Sequence, residues 1–402
     1  MSKGQRMDEL GLLAEDFACA TDSSAPDIIG VLAATRLAAS RVRLSARLRG
    51  AGQEKLAEAL EALDLPETAT WRPEIGLVES VGEQVVALCQ GALQWAIATF
   101  ACGQQGRFSA QLASAGRVFL DGCLIDVEGA VSVLADGQVL LVQDARSNHA
   151  FQAHAGRWML CKNDSIQRAW PVGHIGHDQG FYVVRTGVSN ASHGFPWPDQ
   201  QRGPLPPVAD EAAMDAAVRR VEAAHALLAS AGDEHLNWVR GGLAGYLLLA
   251  GPGLNDARVH GSSAFPGLLA LDPPDDPVHC AELIVQESSR QYVAAFLMVA
   301  ALLREDQEAA FYSPLKRSYE TMGRVIIGAH AVGNVLLFQQ HLARIQRLDK
   351  AAMGRRDMQR IWFESHYMRA LDACTNLTEA GRRLWAQLRA SVIESGVLSH
   401  QG

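Results

Sequence analysis

The chain has 402 residues, 48% hydrophobic and 20% charged, with a net charge of −8 and a pI near 5.9. That length can bury a large core and suggests two or three domains. An acidic balance argues against nucleic acid or an anionic membrane as the main partner, because those surfaces are met by basic stripes.

Met1 to Asp8 is polar and leads into an amphipathic stretch, so no export signal with an apolar core is expected. Residues 8–105 are rich in Ala, Leu, Glu and Arg. Apolar spacings of three and four in Val31–Leu37 and Leu56–Leu63 predict helices, and 1–106 is read as an N-terminal helical region. From Gly116 the period changes. Val118-Phe119-Leu120, Ala130–Leu134, Gln138–Val142 and Gly180–Val184 are short β-prone runs, and Asp121-Gly122 and Asp136-Gly137 are hairpin signals. Residues 107–195 are therefore expected to form an antiparallel β-rich segment.

Pro196, Pro198, Pro204, Pro206 and Pro207 resist helix and sheet alike and predict a connector over 196–209. Residues 210–402 read as a C-terminal helical domain. One helix is expected over 210–231, followed by nearly continuous helix from Pro277 to about Gly396, broken near Tyr312-Ser313-Pro314. Asp276 is placed as an N-cap, with Pro277 at the first helical position. The longest apolar run, Tyr292 to Leu303, falls well short of the roughly 20 residues that span a bilayer and reads as a buried helix. Seven scattered cysteines without a C-x-x-C pair suit reduced thiols in a cytoplasm. The fold class expected is α+β, mostly α-helical with a central antiparallel β-rich segment.

In the helix that Asp276 opens, Gln286-Glu287-Ser288-Ser289-Arg290 stands where a zincin-like helix would carry H-E-x-x-H. Two imidazoles four residues apart share a helix face and grip a divalent ion. Here both are replaced and only Glu287 remains, so no metal ligand is assigned. Two readings of Glu287 and Arg290 stay open. They are a helix-stabilising i,i+3 pair, or Arg290 supplies a fixed positive charge in a former metal cavity and, with Gln286, binds a carboxylate.

Other histidines offer little to a metal site. His341 lies eleven residues beyond His330, about 16 Å along a helix, too far to share an ion with it. His279 precedes Gln286 by two turns. His174-Ile175-Gly176-His177-Asp178 is an H-x-x-H-D string, but it lies in a Gly-punctuated loop. No phosphate-binding glycine motif opens a helix, and no G-x-S-x-G elbow occurs. Tyr292, Phe296, Phe311, Tyr312, Tyr319, Phe338, Trp362, Phe363 and Tyr367 could line a peptide groove or fill a core.

Gly261-Ser262-Ser263-Ala264-Phe265-Pro266-Gly267-Leu268, the altered motif helix, Tyr312-Ser313-Pro314-Leu315-Lys316 and Leu377-Thr378-Glu379-Ala380-Gly381-Arg382-Arg383-Leu384 follow one another in order. Over residues 255–390 this series resembles the H-E-x-x-H peptide-modification proteins of bacterial ribosomal-peptide natural-product clusters. The resemblance implies Fe(II)- and 2-oxoglutarate-dependent peptide β-hydroxylation in members that keep the motif, and a precursor peptide or a peptide-carrying enzyme as partner. It also places His330 among the active-site residues, with Glu287 as the second catalytic candidate. Three functions remain open: a peptide-modifying oxygenase-like enzyme with a non-standard site, a non-catalytic module that binds the peptide or stabilises a partner enzyme, and a metallopeptidase, which would need the missing histidines.

Overall fold

A computed structural model describes residues 13–20, 25–79, 82–154, 157–161, 173–175, 181–184, 211–249, 259–261, 265–305, 311–314 and 317–398. Of the described residues, 56% are helical and 19% in strands, which makes the protein α+β and mostly helical, with an antiparallel sheet of five strands. The chain divides into two compact units that interleave in sequence. One takes Met1–Ile29, Arg219–Gly242 and Pro274–Gly402, the other Gly30–Val218 and Leu243–Pro273. The stretch 196–209, with its five prolines, lies outside the described residues, as do His177, Asp178, Ser262–Ala264, Leu315 and Lys316.

The unit beginning at Gly30 holds most of α1 (Ala25–Gly50), then α2 (Glu54–Glu61), α3 (Pro73–Glu79) and α4 (Val85–Ala101). Helix α4 is apolar almost all round, so nearly all of it is buried, with Trp95 and Phe100 fully enclosed. Its buried Gln94 grips one residue of the neighbouring strand by both of its backbone groups. Nε2 donates to the Phe119 carbonyl at 2.9 Å, and Oε1 accepts from the Phe119 amide at 2.8 Å.

Strands β1 (Gly106–Gln111), β2 (Gly116–Leu120), β3 (Cys123–Val127), β4 (Ala130–Ala135), β5 (Val139–Gln143), β6 (Asn148–His154) and β7 (Arg157–Leu160) follow. β1-β4-β5-β6-β7 form the antiparallel sheet, and β2-β3 a separate hairpin. Both Asp-Gly signals are turns. Asp121 (φ 46°) and Gly122 (φ 89°) join β2 to β3, with Leu120 opposite Cys123. Asp136 and Gly137 join β4 to β5, the Asp136 carboxylate accepting from the Gln138 and Val139 amides.

A second sheet was not visible in the sequence. Strands β8 (Gly173–Ile175), β9 (Phe181–Val184), β10 (Gly245–Leu248), β11 (Val259–Gly261) and β12 (Leu268–Leu271) pair in the order β11-β12-β10-β9-β8, with β9, β10 and β12 parallel. β10 and β12 are buried at every position, as parallel strands covered on both faces are. Four-residue apolar runs have no alternation to read, so β10, β11 and β12, between the two stretches expected to be helical, were not anticipated within the region read as a helical domain. Gly267 (φ +73°) starts the turn into β12. A Cβ there would lie 2.2 Å from the Trp71 carbonyl oxygen, so no other residue fits.

A buried charge cluster sits beside the β2–β3 turn. Glu74 is 1% exposed and its Oε1 accepts from the Asp121 amide at 2.6 Å; Asp121 in turn accepts from the Trp158 amide at 2.5 Å and lies 3.7 Å from Arg72. Burial raises the Glu74 carboxyl from 4.5 to about 7, partly countered by Arg72. Between those two values the unfolded chain has lost the proton that the fold keeps. Stability is therefore expected to fall as pH rises through that window, by on the order of 3 kcal/mol, and to be unaffected by this group below it. Glu74→Gln should remove that part of the slope in urea unfolding measured from pH 4 to 8. An unchanged slope would show that Glu74 does not hold its proton.

The other unit is helical. It takes the end of α5 (Glu211–Ala231), then α6 (Asp233–Gly242), α7 (Pro277–Phe296), the hairpin β13 (Phe311–Ser313) and β14 (Ser318–Glu320), α8 (Met322–Arg344), α9 (Lys350–Trp362), a π-helical turn (Phe363–Met368), α10 (Arg369–Asp372) and α11 (Glu379–Glu394). α7 and α8 pack together, and Trp238 of α6 stacks on Tyr292 at 3.7 Å with Phe17 edge-on at 5.6 Å. Among the described residues α8 alone is long and apolar enough to cross a membrane, and 83% of its most apolar window is buried inside the protein.

The apolar run Tyr292–Leu303 is helical only to Phe296. Leu297 to Ala300 add a last turn of local bonds, and from Leu302 the backbone is bonded elsewhere: the Leu302 carbonyl accepts the Thr378 amide, the Asn376 carbonyl accepts the Arg304 amide, and Leu303 bridges Leu377. Leu297 and Met298 are left exposed at the turn.

Candidate functional site

Asp276 caps α7 as its residue type requires. Its backbone is extended, its carboxylate accepts the Val278 amide at 2.9 Å, and Pro277 takes the first helical position. Because α7 is buried on most of its circumference, its polar side chains must find partners inside the unit. Most do so, in three layers, while the Tyr292 hydroxyl is buried without a hydrogen-bond partner.

In the first layer Glu282, 3% exposed, accepts from Gln339 Nε2 at 2.8 Å and Arg355 Nε at 2.8 Å. Arg355 Nη2 also bonds Asp276 at 2.8 Å, tying α9 to the cap. In the second layer Arg290 forms an ion pair with Glu287, and Gln286 Nε2 lies 3.4 Å from the same carboxylate oxygen. The Glu287 side chain is 2% exposed and that of Arg290 21%, so the guanidinium forms the outer edge of a carboxylate that is otherwise sealed. In the third layer Ser288 and Ser289 donate to the Ile284 and Val285 carbonyls at 2.8 Å, and Trp238 Nε1 donates to Ser289 Oγ at 3.4 Å.

His330 lies apart from the second layer. It is fully buried in α8, with Nε2 2.8 Å from the Phe17 carbonyl. Burial pushes its imidazole down to about 4, against the opposing pull of nearby carbonyls, so it is neutral at physiological pH. Asn334, one turn on, accepts the Ala20 amide at 2.9 Å and donates to the Ala18 carbonyl at 3.2 Å. Together they fasten residues 17–20 to α8. Glu287 is bonded to Gln286 and Arg290, and His330 to Phe17 and Asn334, with no member in common, although the His330 ring also meets the Ser289 backbone within the altered motif. The other proposed ligands are equally scattered. His279 is in the first turn of α7, and the backbone of His174 is in β8.

An iron ion of the kind the family resemblance implies does not fit here. The two ligand positions hold an amide and a guanidinium, and the guanidinium already neutralises the remaining carboxylate. A cation added beside Arg290 would meet like charge and too few donors.

Most of the aromatic residues pack inside. Tyr292, Phe296, Phe338, Phe363 and Tyr367 are at most 1% exposed. Tyr312 and Tyr319 differ. They face each other across the β13–β14 ladder with ring centroids 5.8 Å apart, and are 43% and 68% exposed.

A further set of residues escaped the sequence reading. His235 in the first turn of α6 and His341 in the last turn of α8 approach to 2.8 Å between Nε2 and Nδ1, and Glu234 Oε1 lies 3.6 Å from the same Nδ1. No spacing rule joins positions 106 apart. The adjacent Glu234-His235 pair was the only local hint. No protein-family model and no curated protein sequence matches the chain.

Proposed function

We propose that the chain is a non-catalytic peptide-binding protein of a bacterial ribosomal-peptide maturation system, holding a precursor peptide or a peptide-carrying partner enzyme. The closed Glu287–Arg290 pair carries this reading. The carboxylate that a working motif would aim at metal-bound water is occupied by an internal cation, which leaves binding rather than bond-breaking as the activity. The hairpin gives such a peptide a place to dock. Among the described residues its ladder has two strands only, and two exposed tyrosines offer large contact area at low entropic cost.

The test uses fluorescent peptides encoded beside the gene, with anisotropy for binding and mass spectrometry after incubation with Fe(II), 2-oxoglutarate and oxygen. Binding without a mass change is expected, weakened about tenfold by Tyr319→Ala. Gain of one oxygen atom that Glu287→Gln abolishes would replace this reading by the oxygenase. Absence of binding to every such peptide would remove it.

A further inference from the structure

From the meeting of α6 and α8, we propose that Glu234, His235 and His341 form a divalent transition-metal site of zinc type, separate from the altered motif and independent of the peptide-binding reading. Two imidazole nitrogens and a carboxylate oxygen are a ligand set that zinc takes when a fourth position is left to water or substrate. Here the three donor atoms lie within 4.8 Å of one another. With bonds of about 2.05 Å, nitrogens on one ion stand roughly 2.9 Å apart at a right angle and roughly 3.3 Å apart in a tetrahedron. The observed 2.8 Å and 3.6 Å fall near that range, while donors as far apart as 4.8 Å exceed the roughly 4.1 Å that two such bonds span, so the Glu234 carboxylate must swing inward to join the imidazoles on one ion.

The surroundings act on ligation in both directions. The His341 ring is also hydrogen-bonded to the Ala231 carbonyl at the end of α5, the kind of outer contact that orients a metal-bound imidazole. His235 would ligate through Nε2, which now meets His341, and would carry its proton on Nδ1, buried without a hydrogen-bond partner; this opposes binding and must be outweighed by the metal bonds.

Backbone geometry also fits. Gly232, between α5 and α6, has φ +135°, and a Cβ built there would lie 2.7 Å from both carboxylate oxygens of Glu234. The glycine thus makes both the sharp turn and the space into which the carboxylate folds. The Ala231 carbonyl at the end of α5 meets the His341 ring, whereas the first turn of α6, which carries Glu234 and His235, places the positive end of its dipole at the site. Arg344 also opposes a cation one turn on, though its guanidinium is bonded to the Ser395 carbonyl at 3.1 Å. The side chains of His341 and Glu234 are 20% and 38% exposed while His235 is fully buried, so the ion would be anchored from inside and open to solvent on one side.

Zn(II) titrated by calorimetry into the untagged, chelator-stripped chain decides the matter. One equivalent should bind. His341→Ala should weaken it by more than about a hundredfold, beyond the usual effect of losing an outer contact, and Glu234→Gln by about tenfold. His174→Ala should change nothing. Co(II) should give visible absorption bands in the wild type that His341→Ala removes. Because His235 is buried and His235→Ala could unfold the unit, the partly exposed His341 carries the test. Failure of the wild type to take up zinc, or equal uptake by His341→Ala, would overturn the site.

Discussion

Arg355→Ala is expected to lower the unfolding free energy by about 3–5 kcal/mol, because it strands the Glu282 carboxylate inside the helical unit. The guanidinium is Glu282's only cationic partner among the described residues, and it also holds Asp276 at the start of α7. One substitution therefore removes a charge partner and loosens a helix cap. Burial already raises the Glu282 carboxyl against the pull of Arg355 and Gln339, and without the arginine it should rise further. The deficit should then shrink at acid pH, where the stranded group is neutral. Arg355→Met with Glu282→Gln should cost much less than the sum of the single changes. A loss under about 1 kcal/mol for Arg355→Ala in denaturant unfolding would mean that the network is solvated and weak.

The second large effect concerns Arg290. Its removal leaves Glu287, 2% exposed, with a single long contact to Gln286, and about 2–3 kcal/mol of stability should go with it. The value is set below that for Arg355 because Arg290 pairs with Glu287 alone, whereas Arg355, similarly part-buried, also holds Asp276 at the helix cap. Glu287→Gln with Arg290→Met should recover most of the loss. A double-mutant cycle in denaturant with no coupling would reduce the altered motif to an ordinary surface pair and take away the physical support for a closed site.

What could be read beforehand was local. Asp276-Pro277 marked the start of α7, the two Asp-Gly pairs marked hairpins, and the i,i+3 spacing joined Glu287 to Arg290, since each rests on chemistry within a few residues. What could not be read was set at long range. The parallel pairing of β9, β10 and β12 depends on partners more than 60 residues away in the case of β9, and four apolar residues look alike in a helix or a strand. The second half of the apolar run, from Leu302, is taken up by bonds to residues 376–378. His341 was judged against His330 on its own helix, and its actual neighbour comes from another one.

The anchoring of residues 17–20 by His330 and Asn334 has a consequence for the order of folding. Those partners are 313 to 316 positions apart, and Phe17 contributes to the aromatic core of the same unit. On a ribosome adding about 5–20 residues per second, the earliest part of this core waits roughly 15–60 seconds for the helix that receives it. Contacts of such separation form late and slowly. Until then Phe17 is an exposed aromatic on a growing chain, open to chaperones, and the helical unit completes itself only after α8 has been made.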